Sequence, residues 1–149
     1  MSTGLLNEFH LQQLFKVVNE LIFCFDGDKA GRAAAWKALE IALPLIRGDR
    51  LVRFMFLPDG EDPDTMVRAI GKDEFVEQQS QAVPLSHVMF KHLEQGSDLT
   101  TADGRSSYVA KVKKLLEKVT DPILKELLIA ELGNKVHLSN DQLNQAMKF

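Results

Sequence analysis

The chain has 149 residues, enough for one ordinary domain or two small ones with a real core. Its 45% apolar and 26% charged residues are an ordinary globular balance, and a net charge of -3 argues against a broad nucleic-acid-binding surface on the chain itself. A single cysteine, Cys24, excludes a disulfide framework and points to a reducing cytoplasm; no apolar run approaches the ~18 residues of a membrane span.

The opening Met-Ser-Thr-Gly lacks the apolar segment of a signal peptide and reads as a clipped terminus. Residues 7–19 carry Phe9, Leu11, Leu14, Phe15, Val17 and Val18, mostly at helical spacing, and predict an amphipathic helix over one face of a sheet. Residues 21–25 are continuously apolar and stop at Asp26-Gly27-Asp28, the pattern of a buried parallel strand that ends in a turn. Cys24 lies inside that strand as core filling. An alanine-rich helix is predicted over 30–43, with Ala34, Ala38 and Ile41 near one stripe and Ala35, Leu39 and Ala42 beside it. Trp36, just off that stripe, is expected to be partly buried against the 7–19 helix or a helix of the C-terminal half. Pro44 ends or kinks the helix.

Gly48-Asp49-Arg50 makes a turn, and residues 51–56 read as a second strand. Strand, helix and strand within about 35 residues is a βαβ unit, which makes the strands parallel and brings both their carboxyl ends to one edge. There the sequence continues Leu57-Pro58-Asp59-Gly60-Glu61-Asp62-Pro63-Asp64, a stiff acidic loop, and then a short helix through Met66, Val67 and Ile70 stopped by Gly71. From about Asp73 onward no further strand is predicted. Short helices begin near Phe75 and at Pro84, and a third runs through Tyr108, Val112, Leu115, Leu116 and Val119. Asp121-Pro122 is a strong helix start, Gly133-Asn134 a predicted stop or bend, and Ser139 the cap of a last helix. A composition shift at 80–84 divides the chain into an α/β part, 1–80, and an all-helical part, 81–149.

Asp26 and Asp28, two apart across a glycine, can converge on one hard cation; Asp28 can equally serve as a helix N-cap. The second acidic cluster, Asp59, Glu61, Asp62 and Asp64, shares that sheet edge and shifts the balance toward a metal. With no His or Cys alongside, the donor set suits Mg²⁺ or Mn²⁺ rather than zinc. Such ions are commonly held by carboxylates together with substrate phosphates, and Lys29 and Arg32 at the start of the following helix are candidate phosphate contacts. His10, His87, His92 and His137 have no motif context, and Gly-Asp-Lys-Ala-Gly-Arg is not a P-loop. Lys111, Lys113, Lys114 and Lys118 alternate with acids as a solvated helix face.

The stretch Phe25-Asp26-Gly27-Asp28-Lys29-Ala30-Gly31-Arg32-Ala33-Ala34 resembles the Asp-x-Asp signature of TOPRIM domains, shared by bacterial primases, topoisomerases and some nucleases. Residues 53–64, ending in Leu-Pro-Asp-Gly-Glu-Asp-Pro-Asp, and Glu131-Leu132-Gly133-Asn134-Lys135 are similar to the bacterial DnaG-type DNA primases. The resemblance implies a cytoplasmic replication enzyme that makes short RNA primers from ribonucleoside triphosphates on a single-stranded DNA template. Carried over by position, it makes Asp26 and Asp28 catalytic metal ligands with Asp62 and Asp64, while Asp59 and Glu61 belong to the motif either as ligands or as residues that shape the loop. It also implies a partial TOPRIM fold followed by the helical subdomain of the core.

No Glu-Gly pair, zinc module, basic template-tracking subdomain or terminal helicase-binding domain is recognisable, so the replicative helicase is expected to bind through a part absent here. The chain by itself is therefore expected to be inactive. Two other readings compete: a TOPRIM-type nuclease or topoisomerase fragment, which the Leu57–Asp64 motif disfavours, and a non-catalytic interaction module built on the helical half.

Overall fold

The two apolar runs pair side by side. The computed structural model describes residues 7–58 and 63–148. In it β1 (Glu20–Asp26) and β2 (Leu51–Leu57) run parallel, in register from Glu20 opposite Leu51 to Asp26 opposite Leu57. Side chains alternate across a strand, so this register assigns every residue to a face. Phe23 and Phe25 of β1 and Phe54 of β2 point to the main core, their ring centroids 5.6–6.2 Å apart. Ile22 and Cys24 point the other way with Met55 and Leu57, onto a smaller cluster.

The crossover is α2 (Lys29–Ala42), which buries Ala35, Ala38, Leu39 and Ala42 on the main core and passes into a 3₁₀ turn at Leu43–Leu45 containing Pro44. Before the sheet, α1 (Glu8–Phe15) packs on α2 and places Leu11 and Phe15 in the same core. It ends four residues short of the predicted 7–19. The chain turns at Lys16, and the β-branched Val17 and Val18, poor helix formers, stay exposed on the approach to β1. Past β2, α3 (Pro63–Ile70) and α4 (Lys72–Gln79) cover the opposite face with Met66 and Phe75.

A third strand corrects the expectation of none after Asp73. β3 (Val83–Pro84) pairs antiparallel with β2, Val83 opposite Phe54 and Pro84 opposite Arg53. Two residues cannot show an alternation, and the proline that marks a helix start also sits comfortably on an edge strand. Arg53 ties the neighbourhood together, donating to Glu20 through Nε at 2.9 Å and to the Ser80 carbonyl at 3.2 Å.

The helical half, α5 (Leu85–Glu94), α6 (Ala102–Leu116), α7 (Pro122–Val136) and α8 (Asn140–Met147), begins each of its last three helices on a side-chain cap. Thr101, Asp121 and Ser139 fill those positions, the last in a capping box with Gln142. Of the predicted stop or bend at Gly133, the stop is not found. The helix runs on to His137, which takes the left-handed conformation at φ 61°. Gly133 instead admits the Leu138 carbonyl, which a Cβ would meet at 2.5 Å.

Tyr108, Leu116, Ile129, Leu132 and Leu143 share one buried cluster with Phe23, Phe54 and Leu39. The α6–α7 corner is pinned to the α/β part by polar contacts as well: Lys118 to Glu40 at 3.1 Å, Thr120 to the Pro44 carbonyl at 2.9 Å and Asp121 to the Gly48 N–H at 3.1 Å. No helix among the described residues is long and apolar enough to cross a membrane.

Candidate metal centre at the carboxyl edge of the sheet

The register fixes the location. Because Asp26 is opposite Leu57, both strands finish at one edge, where open α/β sheets place ligands. β1 leaves through Asp26-Gly27-Asp28 and β2 leaves through Pro58 toward the acidic loop. The turn lies tight against both neighbours. A Cβ on Gly27 would sit 2.5 Å from the Leu57 carbonyl oxygen, and one on Gly31 would run into the Asp26 carbonyl. Glycine at these two positions lets the turn pack between the end of β2 and the first turn of α2.

Asp26 and Asp28 are both solvent-exposed. Asp28 is the N-cap of α2, its Oδ1 accepting the Gly31 N–H at 2.7 Å. The cap reading of the sequence is thus realised at Asp28. It uses one carboxylate oxygen, and the other is not needed by the cap. Lys29 opens α2 and is exposed. Arg32, one turn on, donates from Nε to the Gly27 carbonyl at 3.2 Å, and its guanidinium carbon lies 4.9 Å from the centroid of the Phe56 ring. Phe56 was not visible in the sequence as part of this site. A strand phenylalanine next to the acidic motif carries no signal of its own, and only the register brings it to Arg32.

Of the second cluster, Asp59, Glu61 and Asp62 lie outside the described residues. Asp64, in the first turn of α3, pairs with Arg68 at 3.0 Å, both side chains largely exposed. Among the described residues no three His, Cys, Asp or Glu side chains converge, so Asp26, Asp28 and Asp64 do not by themselves form a three-carboxylate site. The donor chemistry still fits a hard divalent ion: two accessible carboxylates, no imidazole, and a thiol nearby on β1 that cannot compete. Burial pushes the Cys24 thiol up from its ordinary value, so it stays protonated, with Sγ 4.0 Å from the Met55 sulfur. His92 is engaged elsewhere, stacked on Trp36, and His137 serves as the α7 terminus.

The Toprim domain family matches residues 2–57, and the family described as the DnaB-helicase binding domain of primase matches residues 86–141. The second match takes in α6, α7 and all of α5 but its first residue. The chain is 48% identical over 139 residues to the DNA primase of Escherichia coli K12, covering 93% of this chain and 24% of that protein. A structure of the DnaG catalytic core superposes with a TM-score of 0.90 at 47% identity, over 94% of this chain and 46% of the other. A structure of the DnaG primase catalytic domain bound to ssDNA does so at 0.86 and 46% identity, over 91% and 43%. The chain thus spans about a quarter of the full-length relative and a little under half of the solved cores. It belongs to the bacterial DnaG-type DNA primase family as a homologue of part of the catalytic core, a partial TOPRIM domain and the helical region that follows it.

Proposed function

We propose that this chain supplies the metal-binding part of a primase active centre, which joins ribonucleoside triphosphates into short RNA primers on single-stranded DNA in the cytoplasm. The observation that carries the reading is the pairing of Asp26 with Leu57, which sets the Asp-Gly-Asp turn and the root of the acidic loop on one edge. In this reading residues 1–80 hold the metal and residues 81–149 form the helical subdomain. Asp26 and Asp28 hold Mg²⁺ or Mn²⁺ from one side, and Asp62 and Asp64 complete the site. The Asp64–Arg68 ion pair is no obstacle, since a pair this exposed contributes little. The bound ion neutralises charge on the transferring phosphoryl group. Lys29, and the N–H groups of Arg32 not used on Gly27, face the triphosphate at the start of α2. The TOPRIM nuclease reading is disfavoured by the Leu57–Asp64 motif, which follows the primase pattern.

Titration with Mn²⁺ followed by electron paramagnetic resonance tests this. The parent should bind Mn²⁺, more tightly with ATP present, and Asp26→Asn should lose most of the signal. Asp28→Asn should do likewise without loss of fold, because asparagine also caps a helix. Parent-like binding by both variants would place the site elsewhere.

A second role rests on a separate observation. Within residues 86–141, Ile123 and Leu127 lie one turn apart on α7 and are 71% and 63% exposed. They form the helical region's most exposed large apolar pair, and we assign them to contact with a replicative helicase. Ile123→Glu with Leu127→Glu should abolish co-sedimentation with the replicative helicase while Mn²⁺ binding stays unchanged. Undiminished co-sedimentation would move the contact off this face.

A further inference from the structure

Arg32 carries an inference that rests on the metal reading and deepens it. Its guanidinium is held from two directions, by a hydrogen bond to the Gly27 carbonyl at 3.2 Å and by the face of the half-buried Phe56 ring, 4.9 Å from the guanidinium carbon. Gly27 is the middle residue of the Asp-Gly-Asp turn. The two sides of the turn are otherwise fixed by packing and capping: the Asp26 carbonyl abuts Gly31, and Asp28 accepts the Gly31 N–H at 2.7 Å. Arg32 adds a side-chain hydrogen bond on the carbonyl between the two carboxylates, in a turn whose Gly27 also packs against the Leu57 carbonyl. Phe56 on β2 in turn backs the guanidinium, tying the turn to the second strand.

We infer that Arg32 is a positioning residue that braces the Asp26-Gly27-Asp28 turn through the Gly27 carbonyl and the Phe56 ring, and so keeps both carboxylates presented to a divalent cation. This is distinct from a phosphate contact, which acts on the nucleotide and leaves the bare metal site alone. It is also opposite in sign to a simple charge effect. A cation beside a cation site repels the metal, so removing it would tighten binding. Removing a brace weakens binding instead. Lysine keeps the charge but has neither the planar fork nor the Nε–H in that place.

The experiment is Mn²⁺ titration of the 149-residue chain without nucleotide, by electron paramagnetic resonance, for the parent, Arg32→Ala, Arg32→Lys and Phe56→Leu. Amide ¹⁵N relaxation at Gly27 and Asp28 is measured alongside, with the thermal midpoint as a control on folding. Arg32→Ala should bind Mn²⁺ roughly three- to tenfold more weakly, the worth of one hydrogen bond. Arg32→Lys should not restore it, Phe56→Leu should fall between, and Gly27 and Asp28 should become more mobile in all three. Equal or tighter Mn²⁺ binding by Arg32→Ala overturns the brace, as does full rescue by lysine or unchanged relaxation at Gly27 and Asp28. A parent chain that binds no Mn²⁺ overturns the metal reading and with it the purpose assigned to Arg32, whereas parent binding lost in Asp26→Asn but kept in Arg32→Ala overturns the brace alone.

Discussion

The indole of Trp36 on α2 is stacked on the imidazole of His92 on α5, ring centroids 4.0 Å apart and planes 21° from parallel. This contact joins the crossover helix of the α/β part to the first helix of the helical half, which resolves the two positions the sequence left open for Trp36. The indole is half-buried, so its truncation forfeits less than a fully enclosed ring would. Trp36→Ala should cost about 2 kcal/mol and lower the thermal midpoint by roughly 4–8 °C. A double-mutant cycle with His92→Ala should return a coupling of about 0.5–1.5 kcal/mol. Calorimetry that finds the midpoint unchanged would remove the contact as a structural link.

Asp121 performs two tasks with one carboxylate. Its Oδ1 caps α7 at the Ile123 N–H, 2.9 Å away, and its Oδ2 accepts the Gly48 N–H from the α/β part at 3.1 Å. The Gly48 bond first, and then the α7 cap, hold this carboxyl below the ordinary value of 3.8. A depressed carboxyl contributes stability that is fully present above the unfolded value and is lost as pH falls through the folded one. The urea midpoint should therefore drop in acid, below about pH 4, more steeply for the parent than for Asp121→Asn, which carries no charge and whose single amide oxygen can accept the α7 cap bond or the Gly48 bond but not both. Identical acid limbs for the two chains would mean that the tie to Gly48 is not made in solution.

Gly31 sits where α2 starts against the Asp26 carbonyl, with no room for a methyl group. Gly31→Ala should destabilise by about 1–3 kcal/mol through overpacking, even though alanine is the better helix former by about 1 kcal/mol. The displaced carbonyl belongs to a proposed ligand residue, so Mn²⁺ binding should fall together with the urea midpoint. A stabilised Gly31→Ala would show that the turn relaxes freely, and would weaken the case for a tightly held Asp26.

How much of this was readable beforehand follows from the range of each signal. β1, α2 and β2 were legible because each is a local pattern: a continuous apolar run cut by Asp-Gly-Asp, an alanine-rich helical stripe, a second apolar run after a turn. Their parallel pairing followed from the crossover between them. The caps at Thr101, Asp121 and Ser139 are likewise written in adjacent residues. β3 was not legible, because Val83 and Pro84 owe their strand state to a partner thirty residues away. Gly133 misled for the same reason: its lack of a side chain serves the Leu138 carbonyl rather than a helix end. At the site, Asp26 and Asp28 announce themselves by spacing. Arg32 and Phe56 meet only through the register of β1 and β2, and a charge one turn into a helix reads equally well as solvated surface.

The last prediction is that the 149 residues alone make no primer. Nucleotidyl transfer needs the metals, the triphosphate and the attacking 3′-hydroxyl held in line, and most of the rate comes from that positioning. The sequence offers carboxylates for metal and Lys29 and Arg32 for phosphate, but no Glu-Gly pair to add a further acid. Nor does it show a basic track for template. The net charge is -3, and two of the four lysines of α6 and its C-terminal turn are spent locally: Lys111 on the Gly96 carbonyl at 3.0 Å, Lys118 on Glu40 at 3.1 Å. Purified chain with single-stranded template, Mg²⁺ or Mn²⁺ and all four ribonucleotides should therefore yield no template-dependent RNA, while still binding Mn²⁺ at the Asp-Gly-Asp turn. Template-dependent product that disappears on Asp26→Asn would reverse this. It would require another acid to complete the site within these residues, and Glu61 would be the first to replace.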